Sequence, residues 1–328
     1  MPTTTFPLPF RVYSTELTTR FRGLNRRDGV LIQGPAGWAE VSPFWDYDIA
    51  YSATWLAAAL ESACLDYPAP LIDTVPINVT VPATDPARAQ EIATAGAHCP
   101  AAKIKVAEAG QSIDDDLDRI AAVREVFPGT IRIDANGGWD EDTATRVLPK
   151  LDRAAGGLDY CEQPVPDVAA LARVRRAVDV PIAADESIRR AEDPYEVARL
   201  DAADLIIGKV QPLGGIRACL RLIEDIGLPI VVSSALESSV GIAAGVALAA
   251  ALGTERACGL GTISLFTRDV TSTPLLPHRG HLAPGRVIPD EIPPAPADIE
   301  RAWTERLEAM WAHLQARTNI SELTGGAL

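Results

Sequence analysis

Residues 101–134 read AAKIKVAEAGQSIDDDLDRIAAVREVFPGTIRID, and this stretch decides the fold of the chain. Its two ends are short runs rich in β-branched residues, and the segment between them is amphipathic. A strand, a helix and a second strand in this order form a unit in which the two strands are parallel. The stretch therefore predicts a parallel sheet with helices packed on it.

The same alternation continues on both sides of this unit, with strand-like runs that begin at intervals of roughly 22 to 30 residues. The eight runs are INVTV (77–81), AKIKVA (102–107), TIRID (130–134), LDYCE (158–162), PIAAD (181–185), DLIIGKV (204–210), PIVVSS (229–234) and ACGLG (257–261). Eight strands joined by seven helices favour a closed α/β barrel over an open doubly wound sheet. No GxGxxG motif follows any run, which weakens the interpretation as a dinucleotide-binding fold.

The two ends of the chain lack the regular alternation of strand and helix patterns that marks the barrel region. Residues 1–75 contain short alternating runs separated by Asp28-Gly29 and by residues 34–37, followed by a helical pattern that ends at Pro68, and they predict a small α+β unit. We assign residues 76–270 to the barrel. Residues 271–328 are an irregular proline-rich segment and a final helix, which we expect to pack back on the N-terminal unit.

Composition excludes several classes of protein. The 328 residues are 47% hydrophobic, and 30 Lys and Arg minus 44 Asp and Glu give a net charge of −14, which opposes nucleic acid and anionic membrane surfaces as partners. The longest apolar stretch, residues 240–253, is too short to span a bilayer and predicts a packed helix. No export signal is visible, so we expect a cytoplasmic enzyme. Neither the five cysteines nor the four histidines have metal-site spacing, so any metal must be held by carboxylates.

Polar side chains stand at or near the carboxyl ends of five consecutive predicted strands. They are Lys103, Lys105, Asp134, Glu162, Asp185 and Lys209. Active sites of such barrels lie at this end, and three carboxylates from adjacent strands can converge on one cation. Carboxylate oxygens without histidine or thiolate favour Mg²⁺ or Mn²⁺, and we predict Mg²⁺.

The lysines are expected to face each other across this metal. Strand periodicity places Lys103 and Lys105 on one face, and Lys209 follows four strands later in an eight-stranded ring. Crowding by the metal and another ammonium should lower a lysine pKa toward neutrality, as a general base requires. Each residue alone would be ordinary, a solvated strand face or a helix cap, but their joint occurrence indicates an active site that binds a small carboxylate substrate.

These residues and their surroundings resemble the enolase superfamily, and within it the o-succinylbenzoate synthases of menaquinone biosynthesis. The motifs are AKIKVA, RIDANGGW, YCEQPVP, IAADESI and GKVQPLGG, with FRGLNRRDGVLIQGPAGWAEVSPF, VVSSALESSVG and CGLGT beside them. The resemblance implies a modified TIM barrel of the (β/α)₇β type with an α+β capping domain built from the N-terminal segment and the C-terminal helix. It also implies Mg²⁺ held by Asp134, Glu162 and Asp185.

The reaction that the resemblance implies is syn dehydration of 2-succinyl-6-hydroxy-2,4-cyclohexadiene-1-carboxylate to o-succinylbenzoate through a metal-stabilised enediolate. In the family pattern, Lys105 removes the α-proton and returns a proton to the departing hydroxyl. Lys209 would hold its cation near the ring, and Lys103 would tune its neighbour. Divalent metal next to the enediolate oxygens would stabilise the developing charge.

Further residues are candidates for contacts with the substrate or with the metal ligands. Asn136 shares the face of Asp134, although a turn-forming Asn before Gly137 is an equally good interpretation. The serines around the seventh strand could present backbone N–H groups to an anion such as the succinyl carboxylate, although capping would explain one of them. The candidates of this kind are Ser233, Ser234, Ser238, Ser239 and Gly259. Arg20 and Arg22 could reach the mouth from the cap, although solvated surface arginines are the favoured interpretation.

Sister families share the same metal and lysine set, so other activities stay open. They are N-acylamino acid racemases, dipeptide epimerases and muconate cycloisomerases, all of which remove an α-proton. A different class is a metal-free Schiff-base lyase with Lys105 or Lys209 as nucleophile. A noncatalytic barrel that uses the same residues for binding is a third possibility, and the oligomeric state is not indicated by the sequence.

Overall fold

A computed structural model of the chain describes residues 5–21, 23–190 and 193–328. The N-terminal part is a three-stranded antiparallel sheet of β1 (Phe10–Phe21), β2 (Leu24–Gly34) and β3 (Gly37–Val41), followed by helix α1 (Ile49–Cys64). Helix α1 begins where the Asp48 side chain accepts a hydrogen bond from the Tyr51 N–H, which satisfies a free donor of the first turn. These elements form the cap.

Seven parallel strands, in sequence order from β5 to β11, form the curved sheet of the barrel. The strands after the cap are β4 (Val75–Pro76), β5 (Asn78–Val81), β6 (Ala101–Lys105), β7 (Thr130–Asp134), β8 (Leu158–Glu162), β9 (Ile182–Ala184), β10 (Leu205–Gly208), β11 (Ile230–Val232) and β12 (His281–Leu282). The helices are α2 (Pro86–Ala95), α3 (Ile113–Val126), α4 (Glu141–Ala155), α5 (Val168–Ala177), α6 (Glu186–Arg189), α7 (Glu196–Arg199), α8 (Ile216–Ile226), α9 (Ser239–Leu252), α10 (Ala297–Gln315) and α11 (Ile320–Leu323).

The eighth run, residues 257–261, closes the ring without forming a regular strand. Cys258 makes a single parallel bridge to Ile77 on one side, and Gly259 makes a single bridge to Ser233 on the other. The chain then turns into a 3₁₀ helix, Thr262–Leu265, so the pairing cannot continue. The predicted fold class is confirmed, although the eighth strand is reduced to two bridges and the fifth crossover holds two four-residue helices, α6 and α7.

The C-terminal helix completes the cap. Trp303, Leu307, Met310 and Trp311 of α10 are buried in one hydrophobic cluster with residues of β2, β3 and α1. Burying a large side chain of this kind stabilises a fold by roughly 1.5–3 kcal/mol, so α10 contributes substantially to the cap. The barrel has its own clusters, formed by the outward faces of its strands and the helices packed on them. The exact boundaries of the three assigned segments stay a prediction.

The cap and the barrel are joined by polar contacts over the loop that follows β11. The guanidinium of Arg27 on β2 donates to the backbone carbonyl of Leu236 at 2.8 Å. Glu40 on β3 accepts hydrogen bonds from the N–H and the hydroxyl of Ser238, at the start of α9. These contacts fix the cap over the carboxyl ends of the barrel strands.

Helix α9 contains the longest apolar stretch of the sequence, and nearly all of it is buried, as expected for a packed helix. It covers the barrel next to β4 and the closing segment, where Val246 and Leu248 are fully buried beside Ile77. In the described ranges, we find no helix with the length and hydropathy needed to cross a membrane.

Candidate active site

The six predicted residues lie at one end of the barrel because parallel strands end at the same edge. Lys105 of β6 is in register with Asp134 of β7, and Asp134 is in register with Glu162 of β8. Asp185 directly follows β9, and Lys209 directly follows β10. The structure therefore brings the three carboxylates and the three lysines together at the barrel mouth.

One wall of the site is built by β6, β7 and β8. Lys105 Nζ donates to Asp134 Oδ2 at 2.5 Å and to Asn136 Oδ1 at 2.7 Å. Lys103 Nζ donates to Glu162 Oε2 at 3.2 Å and lies 3.5 Å from Asp134 Oδ2. The carboxylate of Asp134 is thus shared between two ammonium groups.

The opposite wall is built by the ends of β9 and β10. Lys209 Nζ donates to Asp185 Oδ2 at 2.5 Å, and the guanidinium of Arg189 donates to Asp185 Oδ1 at 2.9 Å. Asp185 stands at the N-cap position of α6, yet its side chain makes no capping hydrogen bond. A helix-start role therefore does not account for Asp185, whose two oxygens point at cations.

Burial and charge act in opposite directions on these groups. Burial favours the neutral form of Asp134, but Lys105 and Lys103 outweigh it and hold the pKa of Asp134 below its ordinary value. Burial also favours the neutral form of Asp185, but the cations of Arg189 and Lys209 outweigh it and lower the pKa of Asp185. Burial and the neighbouring Asp134 raise the pKa of Glu162. The site therefore combines two firmly ionised aspartates with a glutamate that is easier to protonate.

The pKa of Lys103 is set by its carboxylate neighbours. Burial alone would lower the pKa of this amine, but the carboxylates of Glu162 and Asp134 outweigh it and raise the pKa above its ordinary value. The physical reason is that carboxylate oxygens of Glu162 and Asp134 lie 3.2 and 3.5 Å from its Nζ atom. The lowered pKa expected of a lysine base beside a bound metal stays a prediction.

A cavity of about 40 Å³ lies between the two walls. It is lined by Lys103, Lys105, Lys209, Asp134, Asn136, Ser233, Ser234 and Gly259 from the predicted set, together with Thr80, Thr262, Arg189, Phe21 and Phe44. It adjoins a cleft of about 360 Å³ that shares Phe21, Lys105 and Asn136 and is also lined by Arg20 of the cap. The two spaces together form the candidate active site, whereas Arg22 lies outside the described residues.

The backbone N–H groups of the four serines donate to other parts of the protein. The N–H groups of Ser233 and Ser234 donate to the carbonyls of Gly208 and Gly259, and those of Ser238 and Ser239 donate to Glu40 and Asp269. These four N–H groups therefore have partners within the protein, and a role of the serines in binding the substrate stays a prediction. Ser238 is an N-cap, because its hydroxyl accepts from the N–H of Val240.

Asn136 satisfies both interpretations of its sequence position. Its backbone is left-handed, with φ of 46°, and its N–H donates to Asp134 Oδ1 at 3.1 Å, as in a turn. Its side chain accepts from Lys105 and donates to Glu186 Oε1 at 3.3 Å. The side chain therefore links the wall of Lys105 to the helix that follows Asp185.

The donor chemistry fits a magnesium ion. Asp134, Glu162 and Asp185 supply the oxygen ligands that this ion prefers, and Glu162 Oε1 is buried without a hydrogen bond in the described part of the chain. Among the described residues, however, we find no group of three or more Asp, Glu, His or Cys side chains arranged to hold a metal ion. Lysine and arginine groups instead neutralise the three carboxylates.

Several residues of the site were missed by the sequence analysis. Thr80 lies near the carboxyl end of β5, in register with Lys103, a position that could have identified it. Arg189 directly follows the motif IAADESI and stands four residues after Asp185. This is the spacing of an ion pair on a helix, so the sequence could have indicated it. Phe21 and Phe44 come from the cap, and Phe21 places its ring centroid 5.6 Å from Lys105 Nζ. No local signal indicates such a contact between domains.

Comparison with known protein families covers most of the chain. Residues 86–291 match the family described as enolase C-terminal domain-like, and residues 12–63 match the family described as enolase N-terminal domain-like. The first range covers the barrel from α2 onward with part of the segment that follows it, and the second covers most of the N-terminal part of the cap.

Curated relatives are similar over nearly their whole length. The o-succinylbenzoate synthase of Thermobifida fusca (strain YX) is 54% identical over 303 residues, which cover 91% of this chain and 95% of the relative. The o-succinylbenzoate synthase of Mycobacterium tuberculosis (strain ATCC 25618 / H37Rv) is 48% identical over 308 residues, covering 92% and 94%.

Solved structures show the same fold at lower identity. The L-Ala-D/L-Glu epimerase of Bacillus subtilis superimposes with a TM-score of 0.73 at 23% identity, covering 89% of this chain and 99% of the epimerase. Muconate cycloisomerase of Pseudomonas fluorescens superimposes with a TM-score of 0.69 at 21% identity, covering 85% and 94%. The chain therefore belongs to the enolase superfamily and, within it, to the family of the o-succinylbenzoate synthases.

Proposed function

We propose that this site catalyses the Mg²⁺-dependent syn dehydration of 2-succinyl-6-hydroxy-2,4-cyclohexadiene-1-carboxylate to o-succinylbenzoate. The observation that carries the proposal is the pair Lys105 and Lys209, which stand on opposite walls of one cavity with carboxylates between them. Relatives at 54% and 48% identity are named for the synthesis of o-succinylbenzoate, which supports this reaction among those open to the superfamily.

Lys105 is the proposed base. Its side chain is 16% exposed and borders both the enclosed cavity and the larger cleft, so it can meet a substrate that enters from the cleft. The neutral amine takes the α-proton, and the electron pair of that C–H bond moves toward the substrate carboxylate as an enediolate. When the C–O bond breaks on the same face, the Lys105 ammonium returns its proton to the departing hydroxyl, which leaves as water.

Lys209 is the proposed electrostatic partner on the far wall. Asp185 binds its ammonium, and Arg189 holds Asp185 from the other oxygen, so the cation is fixed in position. A fixed charge of this kind stabilises a developing anion without reorganisation during the reaction. Lys103 is buried between Glu162 and Asp134 and adds positive field behind Lys105.

Mg²⁺ held by Asp134, Glu162 and Asp185 would supply positive charge beside the substrate carboxylate. Asn136 orients Lys105 through its side-chain oxygen at 2.7 Å. Phe21 and Phe44 shield the mouth from water on the cap side.

Two further expectations from the sequence belong to this proposal. They are a small dicarboxylate as the substrate and a cytoplasmic location.

A racemase activity is the second candidate, because amines on both faces of a bound substrate can exchange an α-proton from either side. The same pair of lysines supports this reaction with N-succinylamino acids. It requires proton transfer by both lysines, whereas the dehydration requires it only of Lys105.

The test is an ultraviolet assay with the cyclohexadiene substrate beside an optical-rotation assay with an N-succinylamino acid, each with Mg²⁺ and with EDTA. We expect Mg²⁺-dependent formation of o-succinylbenzoate at the higher kcat/KM. Racemisation with no dehydration would contradict the proposal. Activity that survives EDTA, together with a borohydride-trapped substrate adduct, would replace it with a Schiff-base mechanism.

A further inference from the structure

Gln163 is a buried polar residue at the barrel mouth that the reaction proposed above does not use. It directly follows Glu162 at the end of β8, and it is 0% exposed. Its backbone is left-handed, with φ of 40°, a conformation that is uncommon for a residue with a Cβ atom. Such conformations are concentrated at functional sites, so the contacts of Gln163 indicate what it does there.

The main chain of Gln163 joins the ends of three neighbouring strands. Its N–H donates to the carbonyl of Ala183 at 2.8 Å, and its carbonyl accepts from the N–H of Gly137 at 2.7 Å. Ala183 belongs to β9, and Gly137 lies in the loop after β7. These are the strands whose ends carry the three carboxylates of the mouth, so Gln163 ties the three ligand-bearing segments to one another.

The side-chain amide of Gln163 is fully hydrogen-bonded. Its Oε1 atom accepts from the N–H groups of Asp185 at 2.9 Å and Ser187 at 3.1 Å. Its Nε2 atom donates to the carbonyl of Val165 at 2.8 Å and to Ser187 Oγ at 2.7 Å. An amide offers two acceptor and two donor positions, and all four are used here, so the orientation of the group is fixed.

The Gln163 oxygen caps helix α6 in place of Asp185. Asp185 stands at the N-cap position, from which a side-chain oxygen ordinarily accepts from the N–H of the second or third helical residue. Ser187 is the second residue of α6, and its N–H is bound by Gln163 instead. The Asp185 carboxylate is therefore available to the cations of the mouth, where Lys209 and Arg189 bind it.

We infer that Gln163 is a positioning residue for the metal site: by capping α6, it leaves the carboxylate of Asp185 free to bind Mg²⁺. The inference rests on the Mg²⁺ site proposed above. Without the Gln163 oxygen, the Ser187 N–H needs another acceptor, and Asp185 occupies the position that ordinarily supplies it. An Asp185 carboxylate that turns back onto the helix is lost to the metal, so capping then competes with Mg²⁺ binding.

The test is titration calorimetry of Gln163→Met with MgCl₂ and no substrate. Methionine keeps the length of the side chain but removes the acceptor. We expect Mg²⁺ to bind roughly tenfold more weakly, as is typical when a partner of a metal ligand is lost. At saturating Mg²⁺, kcat should return to within about threefold of the wild type, because bound metal draws Asp185 back to the mouth. Wild-type Mg²⁺ affinity in Gln163→Met would overturn the inference.

Gln163→Glu tests whether the oxygen itself is needed. It keeps an acceptor for the N–H groups of Asp185 and Ser187, so Mg²⁺ affinity should stay within about threefold of the wild type. Equal losses of affinity in the Met and Glu variants would assign the effect to side-chain shape and overturn the capping role.

The matched control is Gln211→Met. Gln211 is also buried, at 3% exposed, but its Oε1 atom accepts from the N–H of Ser42 in the cap at 3.0 Å. Gln211→Met should lower the urea midpoint of unfolding and keep the Mg²⁺ affinity. A loss of Mg²⁺ affinity as large as that of Gln163→Met would mean that any buried amide near the site matters equally, which contradicts the inference.

Ser187→Ala decides if Gln163→Met does not fold. It removes the hydroxyl that accepts from Nε2 of Gln163, and a less firmly held amide should weaken Mg²⁺ binding about threefold. Unchanged affinity would then overturn the inference. The wild-type titration separates this outcome from a failure of the proposed function: absence of Mg²⁺ binding by the wild type would contradict the metal site and the inference together. A different reaction at an intact Mg²⁺ site would contradict the proposed function alone.

Discussion

Two groups of buried carboxylates in this molecule are neutralised in different ways. The mouth cluster consists of Asp134, Glu162 and Asp185, whose contacts include Lys103, Lys105, Lys209 and Arg189. The junction cluster consists of Glu40 and Glu237, between the cap and α9. Glu40 accepts from Tyr13, Ser42, Ser238 and Gly241, and Glu237 accepts from the Ala235 N–H.

The difference appears in the pKa values and explains the separate roles. Cations lower the pKa of Asp134 and Asp185 against burial. In the junction cluster burial dominates, and it raises the pKa of Glu40, and of Glu237 to about 7 with help from Glu40. The ion pairs of the mouth cluster keep charged groups in place for a reaction on an anionic substrate. The hydrogen-bonded carboxyl groups of the junction cluster instead hold the cap and the barrel together.

The largest effect is expected for the base of the mouth cluster. Lys105→Ala should lower kcat by roughly 10³–10⁴-fold, because general-base catalysis contributes about that much. The measurement is steady-state kinetics together with exchange of the substrate α-proton in D₂O. Lys150→Ala, an exposed lysine on α4, is the control and should keep its rate. Substantial exchange in Lys105→Ala would remove Lys105 from the base role.

The opposite wall should show a smaller loss. Lys209→Ala should lower kcat by roughly 10²-fold, as expected for loss of one fixed electrostatic contact. Lys209→Arg keeps a cation beside Asp185 and should recover part of the rate. A wild-type kcat in Lys209→Ala would show that Lys209 does not stabilise the anion formed when Lys105 removes the proton.

Metal binding should also depend on the mouth cluster. Asp185→Asn should weaken Mg²⁺ at least roughly tenfold, because a neutral amide is a poorer ligand for a hard cation than a carboxylate. Titration calorimetry with MgCl₂ measures this without substrate. Asp66→Asn, an exposed residue after α1, serves as the control. The ligand assignment fails if both variants bind Mg²⁺ like the wild type.

The junction cluster should affect stability rather than the reaction. Folded Glu237 keeps its proton up to about pH 7, whereas the unfolded chain loses it near the ordinary value of 4.5. The folded state binds more protons across this window, so the free energy of unfolding falls as the pH rises through it and levels off above it. Glu237→Gln should reduce this fall by on the order of 3 kcal/mol, since one pKa unit corresponds to about 1.4 kcal/mol.

Urea unfolding at pH 5, 6, 7 and 8 measures the slope. Exposed Glu308→Gln on α10 is the control and should keep the slope of the wild type. An identical slope in Glu237→Gln would show that the proton on Glu237 does not distinguish the folded from the unfolded state.

The sequence predicted the mouth cluster better than the junction cluster for a physical reason. Lysines and carboxylates at the ends of consecutive strands share one edge of a parallel sheet, so Lys105, Asp134 and Glu162 could be placed together from spacing alone. Glu40 and Ser238 are 198 positions apart and meet only because the cap packs over α9. No periodic pattern contains that contact.

Two details of the site depend on partners from distant elements. The serine N–H groups were expected to attract an anion, and Gly208, Gly259, Glu40 and Asp269 accept from them in the structure. The pKa of Lys103 is raised by the carboxylates of Glu162 and Asp134, which stand on other strands. In each case the residue was placed at the right end of the barrel, but its bonding partners come from other elements.

By itself, the sequence determined the strand and helix alternation, the end of the barrel that carries the chemistry, and the residue types available there. These follow from local periodicity and from the common direction of parallel strands. Tertiary structure alone decided how the ring closes at Cys258 and Gly259 and which side chains are hydrogen-bonded to each other. It also decided that an open seam beside Asn78 forms a second cavity. Such features depend on side chains from distant elements meeting at ångström distances, which no local pattern encodes.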